Sequence, residues 1–244
     1  MAPKPKPEAK DKDPKPWSAP FFKNKDGLGA YLAHPETAHH VIYHNDDFVA
    51  INDLFPKSSV HTLLLPRSPA HNLLHPFEAF KDEHFLNQVK AEVEKLKELV
   101  AKEVQRKFAS GSAAEARREA VLNGEVEPGD DGANGQLPPG RDWADEVITG
   151  IHAHPSMNHL HIHVLSREMH SPRLKHRKHY NSFNTPFLID VAEFPLAADD
   201  PRLQPGQGYL KRDLICWRCG KNFKNQFKAL KDHLDGEFQE WKKE

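Results

Sequence analysis

The sequence predicts an α+β fold, an antiparallel sheet with flanking helices, followed by a small C-terminal ββα-like unit held by a metal. Three observations carry this reading. Short apolar runs with the length and turn boundaries of strands occur at 41–44, 48–53, 60–66, 147–152 and 159–165. Residues 84–108 repeat Leu86, Val89, Val93, Leu96, Leu99, Val100 and Val104 at helical intervals among Lys and Glu, as a long helix packed across a sheet does. The chain has two cysteines, Cys216 and Cys219, and their spacing suits a metal or redox pair better than a structural disulfide.

Composition bounds the organisation. With 244 residues and 38% hydrophobic content, the chain supports one main domain and a smaller unit. A mean hydropathy of −0.73 and 20 prolines leave part of it unable to bury a core. We expect a disordered Lys/Pro-rich tail at 1–20, a main domain at 21–195 carrying a disordered insertion at 109–142, and the small unit at 196–244. The net charge of −1 hides a strong local polarity. No apolar run approaches the roughly 18 residues a membrane helix needs, so no membrane partner is expected and the protein is read as soluble and intracellular.

In chain order, Leu28, Tyr31 and Leu32 predict a short amphipathic helix within 21–32 that stops near Pro35, with Phe21 and Phe22 at its start. A hairpin turning at Asn45-Asp46-Asp47 and a third strand at 60–66 follow, then the long helix. The stretch 109–142 loses periodicity apart from a helical segment around 113–122. The strand at 147–152 returns the chain to the sheet. Beyond the next strand, Arg167, Arg173, Lys175, His176, Arg177, Lys178 and His179 form a basic patch whose only acid is Glu168.

The run His159-Leu160-His161-Ile162-His163-Val164-Leu165 alternates strictly, which throws its three imidazoles onto one face and Leu160, Ile162 and Val164 into a core. Neutral imidazole is a nucleophile near pH 7, and a phosphorus–nitrogen adduct is labile enough to hydrolyse in a second step. The middle histidine is the natural attacker. His152, on the preceding strand, lies within reach as an acid for the leaving group. The turn at 155–158, with Ser156 and Met157, offers amides and a hydroxyl to phosphate oxygens. The competing reading is a metal site, which needs a carboxylate or fourth ligand, and none occurs between Ile151 and Ser166.

The histidine run resembles the motif of the histidine-triad (HIT) family, whose members transfer or hydrolyse nucleotidyl groups at an α-phosphate. Four further segments resemble the aprataxin group within it: 53–57 with His61, 150–157, 171–175 and 179–184. This resemblance implies a HIT-type sheet and a DNA-repair enzyme that removes AMP from nicked or otherwise 5′-adenylated DNA ends. It further implies His161 as the nucleophile, His163 as a phosphate-bonding or ring-orienting partner, and His159 completing their network through its other nitrogen. No metal is expected at these histidines. Asp53 would hold the ribose hydroxyls, although turn capping is an equal reading of it, and Lys57, His61 and Ser156 would surround the nucleotide and phosphates. A monomer located in the nucleus follows from the same likeness.

Cys216, Cys219, His233 and Glu237 approximate a two-cysteine, two-histidine zinc finger, with Glu237 where a second histidine normally stands. A Cys, Cys, His, Glu set resembles fungal aprataxins, which implies a structural Zn2+. Lys175, Lys178, His179, Arg218, Lys221 and Lys224 are the expected DNA contacts. Two other readings stay open: a general HIT hydrolase of nucleoside phosphoramidates or dinucleoside polyphosphates, and a non-catalytic finger protein that binds nucleic acid.

Overall fold

The computed structural model describes residues 25–128 and 136–244. The expected tail at 1–20, together with Phe21 and Phe22, lies outside the described residues. A short helix, α1 (Gly29–Ala33), precedes the hairpin of β1 (Val41–His44) and β2 (Phe48–Asn52). Asn45 closes that hairpin, its side-chain oxygen accepting from the amides of Asp47 and Phe48. Then come β3 (His61–Pro66), the single turn α2 (Pro76–Ala79) and the 26-residue α3 (Glu83–Phe108). α4 (Ala113–Leu122), β4 (Val147–His152), β5 (Ile162–Ser166), α5 (Arg177–Asn181), β6 (Leu188–Ile189) and α6 (Phe227–Trp241) complete the order.

The six strands form one antiparallel sheet in the order β1-β2-β3-β5-β4-β6. The sheet is covered on both faces, so its central strands are apolar on both sides. Leu64, Ile162 and Val164 pack under α3 with Leu86, Val89, Val93, Leu96, Val100 and Val104. Leu63 and Leu65 face the other way, onto Leu28 and Tyr31 around α1. α3 starts where Asp82 accepts the Phe85 amide hydrogen and ends with Arg106 and Lys107, charges that suit each pole of the helix dipole. Leu99 falls off the apolar stripe and stays exposed.

The stretch 109–142 is not a loose loop where it is described. α4 forms as read, capped by Ser112, and its first amides (Ala113, Ala114) donate to the carbonyls of Lys243 and Glu244. Trp143 donates to Glu115, and Arg118 to the Pro138 carbonyl. Residues on both sides of 195 share a core. Tyr209, Phe238 and Trp241 are buried in the same cluster as Val104, Trp143 and Phe194. The Arg141 guanidinium lies 4.6 Å from the ring centres of both Trp143 and Trp241 and bonds the Trp241 carbonyl at 2.6 Å. Among the described residues no helix is long and apolar enough to cross a membrane.

Candidate active site and metal centre

Four histidines from three strands converge on one cavity of about 560 Å³: His61 lies behind its wall at the start of β3, while His152, His161 and His163 line it. β5 begins at Ile162, so the alternation expected from 159 holds as regular strand only from there. His161 and His163 are nevertheless both buried on the cavity side. Phe183 stands edge-on to His61 and His163, with ring centres 5.3 and 5.0 Å away, and Phe187 closes on His152. These phenylalanines make the pocket a low-dielectric one.

A chain of hydrogen bonds fixes the tautomers. The Lys57 backbone N–H donates to His61 Nδ1 (3.1 Å), so in the neutral ring the hydrogen sits on Nε2. His61 Nε2 is 2.9 Å from His163 Nδ1, which therefore accepts and leaves a hydrogen on His163 Nε2. That Nε2 is buried without a partner on a residue lining the cavity. His161 is set the opposite way: its Nδ1 lies 2.8 Å from the His159 carbonyl and must donate, which leaves the Nε2 lone pair bare. The pocket thus presents a nucleophilic nitrogen beside a donor N–H.

Burial keeps all four rings neutral. It pushes His61 down to about 4, lowers His161, and lowers His152 and His163 well below the ordinary value. His152, expected as an acid, is in this state a neutral ring with an unpartnered Nε2. To serve as an acid it would first have to gain a proton. The His159 ring does not join the network. It turns towards α1, where a Cβ on Gly29 would come within 2.9 Å of it, and its contribution to His161 is its backbone carbonyl. The reason is local: 159–161 precede the regular strand, so the period of two does not carry back to His159.

Asp53 caps its turn and also reaches the histidines. One oxygen caps the turn through the Phe55 amide, and the other lies 3.5 Å from His61 Nε2. It lines the cavity with Lys57, Ser156 and Met157. The Lys57 ammonium bonds the Phe55 carbonyl, and burial lowers its pKa. No carboxylate occurs between Ile151 and Ser166, but Asp53 brings one from a distant loop, and Asp53, His61 and His163 place three ligand atoms within 4.8 Å of one another. The two imidazole nitrogens in that set are already committed to each other by a hydrogen bond with complementary tautomers. A metal there would have to displace that hydrogen.

Sequence reading missed the residues that brace the Lys57 loop. Ser59 N–H donates to the buried Glu168 carboxylate at 2.5 Å, and the Ser171 hydroxyl to the Pro56 carbonyl at 2.6 Å. Glu168 stood out only as the acid of a basic run, with nothing to signal a contact 109 positions away. His179 lines the cavity, beside exposed Lys175 and Lys178. The helix α5 that carries Lys178 and His179 is stitched to the finger. Tyr180 donates its hydroxyl to the Ile215 carbonyl and accepts from the Trp217 amide, both at 2.9 Å, and Asn181 donates to the Arg212 carbonyl.

In the finger, a bridge between Ile215 and Asn222 carries the two cysteines on a tight turn and α6 supplies the other two donors. Cys216, Cys219, His233 and Glu237 place one ligand atom each within a 4.8 Å cluster. Cys219 Sγ and Glu237 Oε1 lie 3.2 and 3.0 Å from His233 Nε2. Two thiols, an imidazole and a carboxylate turned towards one point fit a closed tetrahedral zinc site. Lys221 and Lys224 are exposed on the turn, whereas Arg218 spends its guanidinium on Glu237 and Glu244.

Residues 34–170 match the HIT domain family, and residues 184–240 the C2HE / C2H2 / C2HC zinc-binding finger family. The aprataxin-like protein of Schizosaccharomyces pombe is 33% identical over 222 residues, 89% of this chain and 82% of that protein. That of Saccharomyces cerevisiae is 37% identical over 219 residues, 86% and 94% of the two chains. The solved structure of the aprataxin ortholog Hnt3 in complex with DNA superposes with a TM-score of 0.65 at 30% identity, covering 89% of this chain and 96% of that one. On these likenesses the chain belongs to the aprataxin-like branch of the histidine-triad family, with a zinc-binding finger region whose four donors here are Cys216, Cys219, His233 and Glu237.

Proposed function

We propose that this protein is a hydrolase that removes AMP from 5′-adenylated DNA ends through a covalent histidine intermediate. The observation that carries the chemistry is the bare Nε2 of a neutral His161, oriented by the His159 carbonyl and adjacent to the donor Nε2–H of His163. The Nε2 lone pair attacks the adenylate phosphorus, forming a P–N bond as the bond to the bridging oxygen breaks. The DNA leaves with a 5′-phosphate. Water then attacks the same phosphorus, the P–N bond breaks, and AMP departs with His161 restored.

The surrounding groups divide the work. His163 donates to a non-bridging oxygen in both steps. Asp53 receives the ribose hydroxyls, Lys57, Ser156 and Met157 frame the phosphates, and His61, expected among them, acts from behind the wall by holding His163. His152 takes up a proton once the anionic phosphates stand beside it, and delivers it to the leaving oxygen. DNA as the partner draws support from a relative solved in complex with DNA and from α5 and the finger forming one continuous body, with Lys175, Lys178, His179, Lys221 and Lys224 as its basic contacts. Cys216, Cys219, His233 and Glu237 hold a structural zinc that keeps the finger turn on α6. The likeness to aprataxins supports a monomer, and the substrate implies a nuclear protein.

The test is AMP release from a nicked duplex bearing 5′-AMP. Wild type should turn over, and His161→Ala should lose more than about a thousandfold in rate. Equal turnover of a free adenosine phosphoramidate would favour a general nucleotide hydrolase. No release from either substrate would sink the catalytic reading.

A further inference from the structure

The finger uses a carboxylate where a second imidazole would give a neutral site, and the residue beside it answers that difference. Arg218 sits between the two cysteines in the turn. Its Nη1 donates to Glu237 Oε2 at 2.6 Å, while Glu237 Oε1 faces His233 and Cys219. Its Nε and Nη2 donate to Glu244 Oε1, the former at 3.1 Å. The Arg218 side chain is 29% exposed and fully committed to these two carboxylates.

Two physical consequences follow. A free carboxylate can bind a metal through one oxygen or two, and a charge-assisted bond to Oε2 removes the second choice. Two thiolates and a carboxylate around a divalent ion also leave a net charge of −1, which the guanidinium cancels. With histidine in place of Glu237 neither problem arises. The matched finger family spans C2HE and C2H2 donor sets, so both solutions belong to the same scaffold.

We propose that Arg218 is a positioning residue that makes Glu237 a one-oxygen zinc ligand, and that its charge serves the metal site and not the DNA backbone. The inference rests on the zinc reading of the finger. It is tested in the full-length protein with four variants: wild type, Arg218→Met, Glu237→His, and the double replacement. Zinc affinity is measured by competition with a chromogenic chelator, and ligand geometry by the visible spectrum of the cobalt-substituted protein.

Arg218→Met alone should weaken zinc by about 10- to 100-fold, the range for loss of a group that orients a metal ligand. In the Glu237→His background the same change should alter affinity by less than about twofold. An equal loss in both backgrounds would make Arg218 a general structural prop, and no loss in either would leave it without a role at the metal. Either result overturns the inference while leaving the zinc reading intact. A wild-type protein that holds no zinc would remove that reading first, and the inference with it. DNA binding supplies a further readout: a salt slope that drops by about one on Arg218→Met would assign the guanidinium to a phosphate and refute its commitment to Glu237.

Discussion

At His161 the chemistry depends on which nitrogen carries the hydrogen, and a backbone carbonyl decides it. The carbonyl belongs to His159, whose ring is wedged against α1 so closely that residue 29 has no room for a side chain. Gly29→Ala should therefore push the His159 ring and its backbone, shifting the His161 ring, the proposed nucleophile, by a fraction of an ångström. We expect single-turnover AMP release to slow by about tenfold with zinc content unchanged, since misplacement by about 1 Å costs up to about a hundredfold. Wild-type rates in this variant would mean that the ring moves without its carbonyl. His161 and His163 were legible in the sequence because alternation fixes their face. The role of His159 was not, because it lies just outside the strand. Phe183 and Glu168 were equally illegible, as their contacts close over long separations that no local pattern records.

Elements carry the link between the histidine cavity and the finger. α5 is five residues long, too short to be stable alone, and is held by the Tyr180 hydroxyl between the Ile215 carbonyl and the Trp217 amide. Removing that hydroxyl deletes both hydrogen bonds at once. Tyr180→Phe should lower stability by about 1–3 kcal/mol in urea unfolding and weaken DNA binding, because the basic residues of α5 and of the finger turn would lose their fixed relation. An unchanged urea midpoint would place the load elsewhere in the seam. α3 and α4 could be read from spacing alone, and both formed where the pattern put them. What spacing could not supply was the destination of α4, since its partners are carbonyls of the last two residues.

For the whole molecule, the buried neutral histidines set the acid limit. His61, His152, His161 and His163 all have folded pKa values below 6.5, the value of an exposed imidazole. The unfolded chain therefore binds more protons in this range, and stability rises with pH. Their contribution is fully present above about pH 6.5 and is lost as pH falls towards 4, the folded value of His61. The urea midpoint should fall between about pH 7 and about pH 5; a flat midpoint would mean that the rings are not neutral in the fold. The sheet and the long helix were foreseeable because each repeats a period. The shared core was not, because Tyr209, Phe238 and Trp241 complete a cluster that begins as far back as Phe48.

The meeting of α6 and α4 has one more consequence. The carbonyls just after α6 point into the first amides of α4, so the negative pole of one helix axis abuts the positive pole of the other. The joint ties the end of the finger helix to the start of the insertion helix through direct hydrogen bonds. A charge introduced at Ser112, the cap of α4, would therefore act on the tail of the finger helix as well as on α4.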